Sequence, residues 1–345
     1  MFQAAIRKNF GILGLAISVV FTLVFWGDNF LTGANLINVT QRTSLYAVMG
    51  LGVVFVIVTG GIDLSIGSVV GLTGTMLAWL LSDRHWSVPA ALLSVLLVSL
   101  AIGAFHGFLI TKMKLQPFVV TLCGLLIYRG AARLLTGDRN VGFGGDFQTL
   151  KLIVKTQWEI PLVTGATGYR IPATLLLTII LAVLAAVFLN RTIWGRYLLA
   201  LGRNEVAARL CGIRTDRMKF LAYVICSLAA GLTGVLFALE NNFVQPPSTG
   251  AFYELHAIAA AVLGGCSLRG GEASILGVLV GTLTLRLLEN AILLLGVPDP
   301  ARDSVIGVVL LIGVFTDEIV RRISEARRLK QRARNTDQRN LRSSL

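Results

Sequence analysis

The chain has 345 residues, 55% of them hydrophobic and 14% charged, and 31 Lys and Arg against 18 Asp and Glu leave a net charge of +13. A mean hydropathy of +0.76 excludes an ordinary soluble domain. Continuous apolar runs long enough to cross hydrocarbon also exclude a membrane β-barrel, whose strands would read as short alternating segments. In a soluble protein so much basic charge would suggest a nucleic-acid partner. Here it is concentrated in a few segments between apolar runs, where it reports orientation, because Lys and Arg are retained on the cytoplasmic side. No nucleic-acid partner is expected.

Arg7 and Lys8 precede the apolar run 10–26. No small-x-small cleavage site follows, so this run is an uncleaved first span with the N-terminus inside. Segment 28–42 is then outside. Span two covers 43–59, span three 64–81 and span four 88–110, with a basic inner turn from Thr111 to Lys114. Pro117 opens span five at a first-turn position that tolerates proline. The longest polar segment, 136–170, lies outside, and span six covers 172–189. An inner island at 191–218 leads to span seven (218–239), an outer loop (241–254) and span eight (256–266), which is short for a crossing. Span nine covers 274–295 and span ten 304–319. The expected fold is therefore an all-α polytopic membrane protein of about ten transmembrane helices with both termini cytoplasmic. One transmembrane domain, 1–320, precedes a basic tail, 321–345. Cys123, Cys211, Cys226 and Cys266 lie in apolar runs or inner segments, so no disulfide is expected, and their spacing fits no metal site.

The island from Trp194 to Ile213 is polar and studded with arginine. Its centre reads as one short helix. Asn204 can cap it, Glu205 sits at the positive end of its dipole, and Gly212 suits the left-handed residue that ends it. About two turns of helix are unstable alone in water, so this one must dock onto something. Ala207 and Ala208 leave room for a partner surface, while Val206 and Leu210 share a face. The alternative is an amphipathic loop drawn to lipid headgroups by Arg209 and its neighbours.

Several polar features interrupt the apolar runs. Gly60-Gly61-Ile62-Asp63-Leu64-Ser65-Ile66-Gly67-Ser68 places a carboxylate at membrane depth, which is costly and by default functional. The competing role is structural, with a tight glycine turn and Asp63 capping the next helix. A related interruption, Gly264-Gly265-Cys266-Ser267-Leu268-Arg269-Gly270-Gly271, marks either an internal repeat or a second glycine turn. Gly71 and Gly74, Gly231 and Gly234, and Gly277 and Gly281 are spaced for close helix packing. Arg286 and Glu289, three apart with Asn290 beside them, form a self-neutralising pair or line a polar pathway. Arg129 and Arg133 are expected to snorkel outward, and Glu240 and His256 to flank an outer loop facing water or a soluble partner. No G-x-x-x-x-G-K-[ST], H-E-x-x-H or G-x-S-x-G motif is present. No catalytic residue, bound cofactor or enzymatic activity is expected.

Three stretches carry a family resemblance: G-G-I-D-L-S-I-G-S at Gly60–Ser68, G-R-N-E-V-A-A-R-L-C-G-I at Gly202–Ile213, and E-L-H-A-I-A-A-A-V-L-G-G-C-S-L-R-G-G at Glu254–Gly271. In this order they resemble the ribose-type permease subunits of bacterial ABC importers, over about residues 43–317. The resemblance implies a monosaccharide importer of the cytoplasmic (inner) membrane that works by alternating access. It implies a second permease copy or paralogue, separate ATP-binding subunits that carry the ATP and Mg, and an extracytoplasmic sugar-binding protein. Asn204, Glu205, Ala207, Ala208, Arg209 and Gly212 would form the coupling helix seated in the ATPase. Segments 136–170 and 241–254 would dock the binding protein. Gly60, Gly61, Asp63, Ser65, Gly264, Gly265 and Ser267 would form turns bordering the pathway. Cys266 and Arg269 depart from the small polar and apolar residues more usual there, and the basic tail suits anionic lipid. Relatives that carry a nucleoside, a sugar-derived signal or a branched amino acid share this layout. An ion-coupled secondary transporter is the reading from another class.

Overall fold

The computed structural model describes residues 29–159 and 168–298, with scattered positions between 301 and 311. The expected first span, most of the tenth and the basic tail lie outside the described residues. The helices are α1 (Gly33–Val58), α2 (Ile66–Ala78, continued by a π turn, Trp79–Asp83), α3 (Val88–Thr111), α4 (Pro117–Thr136) and α5 (Gln148–Lys155). They continue as α6 (Ala173–Arg191), α7 (Ile193–Arg203), α8 (Glu205–Leu210), α9 (Thr215–Asn241), α10 (Tyr253–Leu263) and α11 (Ile275–Leu294). Seven of them, counting α2 with its π turn, are long and apolar enough to cross a membrane.

α1 begins ten residues earlier than the expected Thr43, capped by the Thr32 side chain, which accepts from the Asn35 N–H at 3.3 Å. The polar letters of its first turns misled the hydropathy reading. α10 has only 11 residues, about 16 Å of helix against a hydrocarbon core of about 30 Å. The expected eighth span is therefore a half-helix.

The bundle has a basic end, carrying α7, α8 and the Lys112–Lys114 turn, and a far end. α9 runs through the middle against α1, α2 and α3. Of the most apolar window of α1, 89% is buried, against 22% for α6; α1 is central and α6 peripheral. Lipid supplies no hydrophobic drive between apolar helices, so contact depends on close backbone approach. A Cβ added at Gly103 would lie 2.7 Å from Val224 Cα, one at Gly234 2.6 Å from the Val70 carbonyl, and one at Gly52 2.4 Å from Ala229 Cβ.

The all-α expectation needs one correction, at the far end. β1 (Val141–Gly142) pairs antiparallel with β4 (Phe243–Val244), and β2 (Gln157–Glu159) with β3 (Arg170–Pro172). These short ribbons pair the backbone of long extramembrane segments. The β1–β4 ribbon joins the expected outer segments 136–170 and 241–254 into one surface. Glu240 does not face solvent freely; its Oε2 accepts from Gln41 Nε2 at 2.5 Å.

Replacing Gly103 by Val should force α3 away from α9. Overpacking of this kind costs about 1–3 kcal/mol, so the detergent-solubilised Gly103→Val protein should melt at a lower temperature than the parent in a thermal-shift assay.

Candidate functional site

At the basic end, the segment expected to hold one short helix holds two. α7 starts at Thr192, whose Oγ accepts from the Gly195 N–H at 3.2 Å. α8 follows after a single residue. Asn204 Oδ1 accepts from the Ala207 N–H at 2.9 Å, and Gly212 takes φ +81. Glu205 turns back toward its own chain, where Lys219 Nζ donates to Oε2 at 2.7 Å and Arg209 Nη2 to Oε1 at 3.3 Å. Burial works to raise the Glu205 pKa, but the bond and charge of Lys219, with Arg209, outweigh it and hold the carboxyl below its ordinary value. The two alanines separate: Ala207 is exposed, whereas Ala208 is buried against its own chain and offers nothing to a partner. Val206 and Leu210 remain 70% and 84% exposed.

Three glycine segments meet beneath this pair of helices. The Gly271 N–H donates to the Val58 carbonyl at 2.9 Å. A Cβ at Gly202, near the end of α7, would lie 1.9 Å from that same carbonyl oxygen and 2.3 Å from Gly271 N. Gly60 and Gly270, at φ +77 and +85, complete the junction, with a Cβ at Gly270 falling 2.7 Å from Gly60 N. The two glycine motifs are thus in contact with each other and with α7. Gly61 packs beneath the Tyr223 hydroxyl, Gly264 against Gly277, Gly265 is left-handed at φ +85, and the Ser267 N–H donates to the Glu272 carbonyl at 3.1 Å.

Asp63 is buried, and its Oδ1 accepts from the Ser65 N–H at 2.9 Å and the Ser65 hydroxyl at 2.7 Å. This is a side-chain turn just ahead of α2, where a cap on the helix's own first turn was expected. Residues 61–65 belong to no helix or strand, and Tyr223 donates its hydroxyl to the Ile62 carbonyl at 3.3 Å. Non-helical backbone inside a membrane protein must find such partners.

A second break lies opposite. The expected outer loop 241–254 does not stay outside: the Tyr253 ring, at the start of α10, packs 4.8 Å from Tyr46, the fourteenth residue of the 26-residue α1. α10 therefore starts level with the middle of α1 and runs to the basic end. Its first turn meets that of α2, since a Cβ at Gly67 would fall 2.1 Å from Glu254 Oε2 and 2.3 Å from the Gly250 carbonyl. The buried Glu254 carboxylate sits against the N-terminal turn of α2, where the dipole favours negative charge. Arg129 does not snorkel; its Nη1 donates to the Thr249 carbonyl and, at 3.3 Å, to that of Pro246, pinning the inserted loop. Arg133 is exposed and pairs with Asp138 at 2.5 Å.

Arg286 and Glu289 are ion-paired, as spacing suggested, but they belong to a larger cluster. His256 Nδ1 lies 2.9 Å from Arg286 Nη2 and 3.2 Å from Glu289 Oε1, so His256 faces neither the outer loop nor a soluble partner. The Arg286 guanidinium lies 3.7 Å over the Tyr46 ring. One turn toward the far end, Asn290 and Asn35 exchange amide hydrogen bonds of 2.7 and 3.1 Å. Tyr46, Tyr253 and His256 carry no sequence signal for this site; only packing of α1, α10 and α11 brings them together. Among the described residues, no group of three or more His, Cys, Asp and Glu is placed to hold a metal ion.

A bundle of membrane-length helices, broken at mid-depth and carrying a short exposed helix on its basic end, defines a polytopic membrane permease. Residues 35–314 match the family described as the permease component of branched-chain amino acid transport systems, and the chain belongs to that family. It is similar to the ribose import permease protein RbsC of Escherichia coli, at 37% identity over 90% of this chain and 93% of that one. RbsC of Bacillus subtilis is 33% identical over 92% of this chain and 94% of its own. The autoinducer 2 import system permease protein LsrC of Escherichia coli is 34% identical over 86% of this chain and 83% of its own. No solved structure matches the chain.

With its folded pKa held low, the Glu205 carboxylate braces α8 at neutral pH, and the brace is lost only as pH falls through that lowered pKa, beneath the ordinary glutamate range. Amide hydrogen exchange should therefore be faster across 205–211 in Glu205→Gln than in the parent at pH 7. The two should converge on acidification.

Proposed function

We propose that this chain is the permease subunit of an ATP-driven ABC importer for a monosaccharide. The observation that carries the proposal is α8, a capped two-turn helix whose Val206 and Leu210 are 70% and 84% exposed. A helix this short is stable only when docked. Its inner side is tied to α9 through Lys219, and the outer apolar side fits a cleft in an ATP-binding subunit. Glu205 then serves as a brace, while Val206, Ala207 and Leu210 make the contact. Similarity to ribose import permeases supports the sugar class, and similarity to an autoinducer 2 permease makes a sugar-derived signal the second reading.

On this reading the basic end is cytoplasmic and both termini lie inside, with about ten spans in one permease domain, 1–320, in the bacterial inner membrane. Two permease chains, identical or paralogous, enclose the pathway. ATP and Mg belong to the ATPase partner, and this chain has no hydrolytic role. The far-end surface, where β1 and β4 join two outer segments, receives an extracytoplasmic sugar-binding protein. When the ATPase pair closes, force on α8 passes through Gly202 to the ends of α1 and α10, tilting the helices that bound the pathway. The membrane lipid contacts the apolar faces of α3, α4 and α6.

The test is to tag the chain in its native cells, extract it in mild detergent and identify the proteins that accompany it. An ATP-binding subunit should co-purify with the parent and be lost from Val206→Asp/Leu210→Asp. Ala208 is left intact because a change there would disturb the fold itself. A parent chain that purifies alone and carries solute in liposomes under an ion gradient would be an ion-coupled transporter, and the proposal would fall.

A further inference from the structure

Two cavities adjoin on the outside of the bundle, where α3 and α6 flank α9. The one at the basic end, about 610 Å³, is lined by Phe108 and Lys112 of α3, Phe188 of α6, Trp194 of α7, and Arg217 and Phe220 of α9. The other, about 560 Å³, continues from Phe188 away from the basic end, between Leu96 and Leu184 and over Gly52 and Ala229. Every residue lining this second cavity is apolar. Phe108, Trp194 and Leu184 are 50%, 51% and 61% exposed, so the two together form a groove open sideways to hydrocarbon.

Charge is confined to one end of the groove. Lys112 caps the end of α3, and Arg217 lies in the first turn of α9. Both are exposed, and among the described residues neither side chain has an ion-pair or hydrogen-bond partner. Asp216 lines the same end, but Lys114 Nζ donates to both its oxygens at 2.9 Å, which balances its charge. Two cations are left over, beside the positive end of the α9 dipole. Phe108 sits about one turn deeper than Lys112, and an indole such as that of Trp194 favours the headgroup boundary.

A paired cation at the water boundary, an aromatic collar and then a purely apolar trough match an anionic head followed by acyl chain. A soluble anion would use only the cations, whereas a neutral lipid or an apolar helix would leave both unpaired. Basic pockets between membrane helices hold anionic headgroups for this reason. We propose that the groove binds one anionic phospholipid, with its phosphate between Lys112 and Arg217 and an acyl chain laid along α9 between α3 and α6. The site stands without the permease reading, which only places it in the cytoplasmic leaflet.

The experiment is native mass spectrometry of the full chain, purified in mild detergent with the subunits that accompany it. The parent should retain dioleoylphosphatidylglycerol under conditions that strip dioleoylphosphatidylcholine. Lys112→Gln/Arg217→Gln should weaken phosphatidylglycerol binding on the order of tenfold, from the loss of two headgroup contacts. Lys112→Arg/Arg217→Lys, which keeps both charges, should retain it. Sodium phosphate should not displace the lipid; displacement would make this a phosphate site and overturn the lipid. Equal retention of the two lipids, or phosphatidylglycerol binding unchanged in the glutamine variant, overturns the proposal. So does a parent that retains no lipid, whose groove another helix would then fill. An ATP-binding subunit present or missing in the same spectra tests the permease reading separately.

Discussion

One backbone hydrogen bond fixes how the basic end meets the bundle: the Gly271 N–H to the Val58 carbonyl, 2.9 Å long. It joins the end of α1 to the turn between α10 and α11, and it exists only because Gly202 leaves the space above it empty. Any side chain at Gly202 would occupy the carbonyl's position. At Gly202, α7 is therefore seated directly on backbone, while Leu198 and Leu201 of α7 are buried and the Lys219–Glu205 pair ties α8 to α9. Tightly packed backbone transmits displacement, whereas a side-chain contact would absorb part of it by changing rotamer.

The membrane imposes a second constraint, that every polar backbone group find a partner inside the protein. The chain nevertheless breaks two helices at depth, and each break is satisfied by named groups. Asp63 and Tyr223 serve the segment ahead of α2, and Arg129 serves the loop ahead of α10. The two resulting helix starts face each other across Gly67 and Gly250. Both Gly60 and Gly250 follow a threonine and both take φ +77, so one local device opens each break. The turn at Gly264–Gly271, which the letters suggested as the counterpart of Gly60–Ser68, is its packing neighbour.

How charge is handled follows from depth. At the basic end Glu205, Arg209, Asp216, Lys114 and Lys219 form a network at the water boundary, where ion pairs mainly position α8 and contribute modest stability. At the centre, Arg286 is nearly sealed and must be neutralised, which Glu289 and the Tyr46 face accomplish together. Placing the mostly buried His256 in that company makes the centre polar without leaving a bare charge.

The amino-acid sequence by itself determined the class of the protein, most helix limits and the identity of α8. These are local properties: apolar length, proline at first turns, Asn204 as a cap and Gly212 beyond the last turn. It also showed Arg286 and Glu289 as a pair, because residues three apart share a helix face. Tertiary structure alone decided that Ala208 turns inward while Ala207 turns outward, that Arg129 pins a loop, and that α10 begins level with the middle of α1. It alone brought His256 and Tyr46 to Arg286, and Gly202 to Gly60 and Gly271. Those outcomes depend on which helices become neighbours. Periodicity cannot report this in lipid, where nearly every face of every helix is apolar and the choice is made by the few sites at which two backbones can touch.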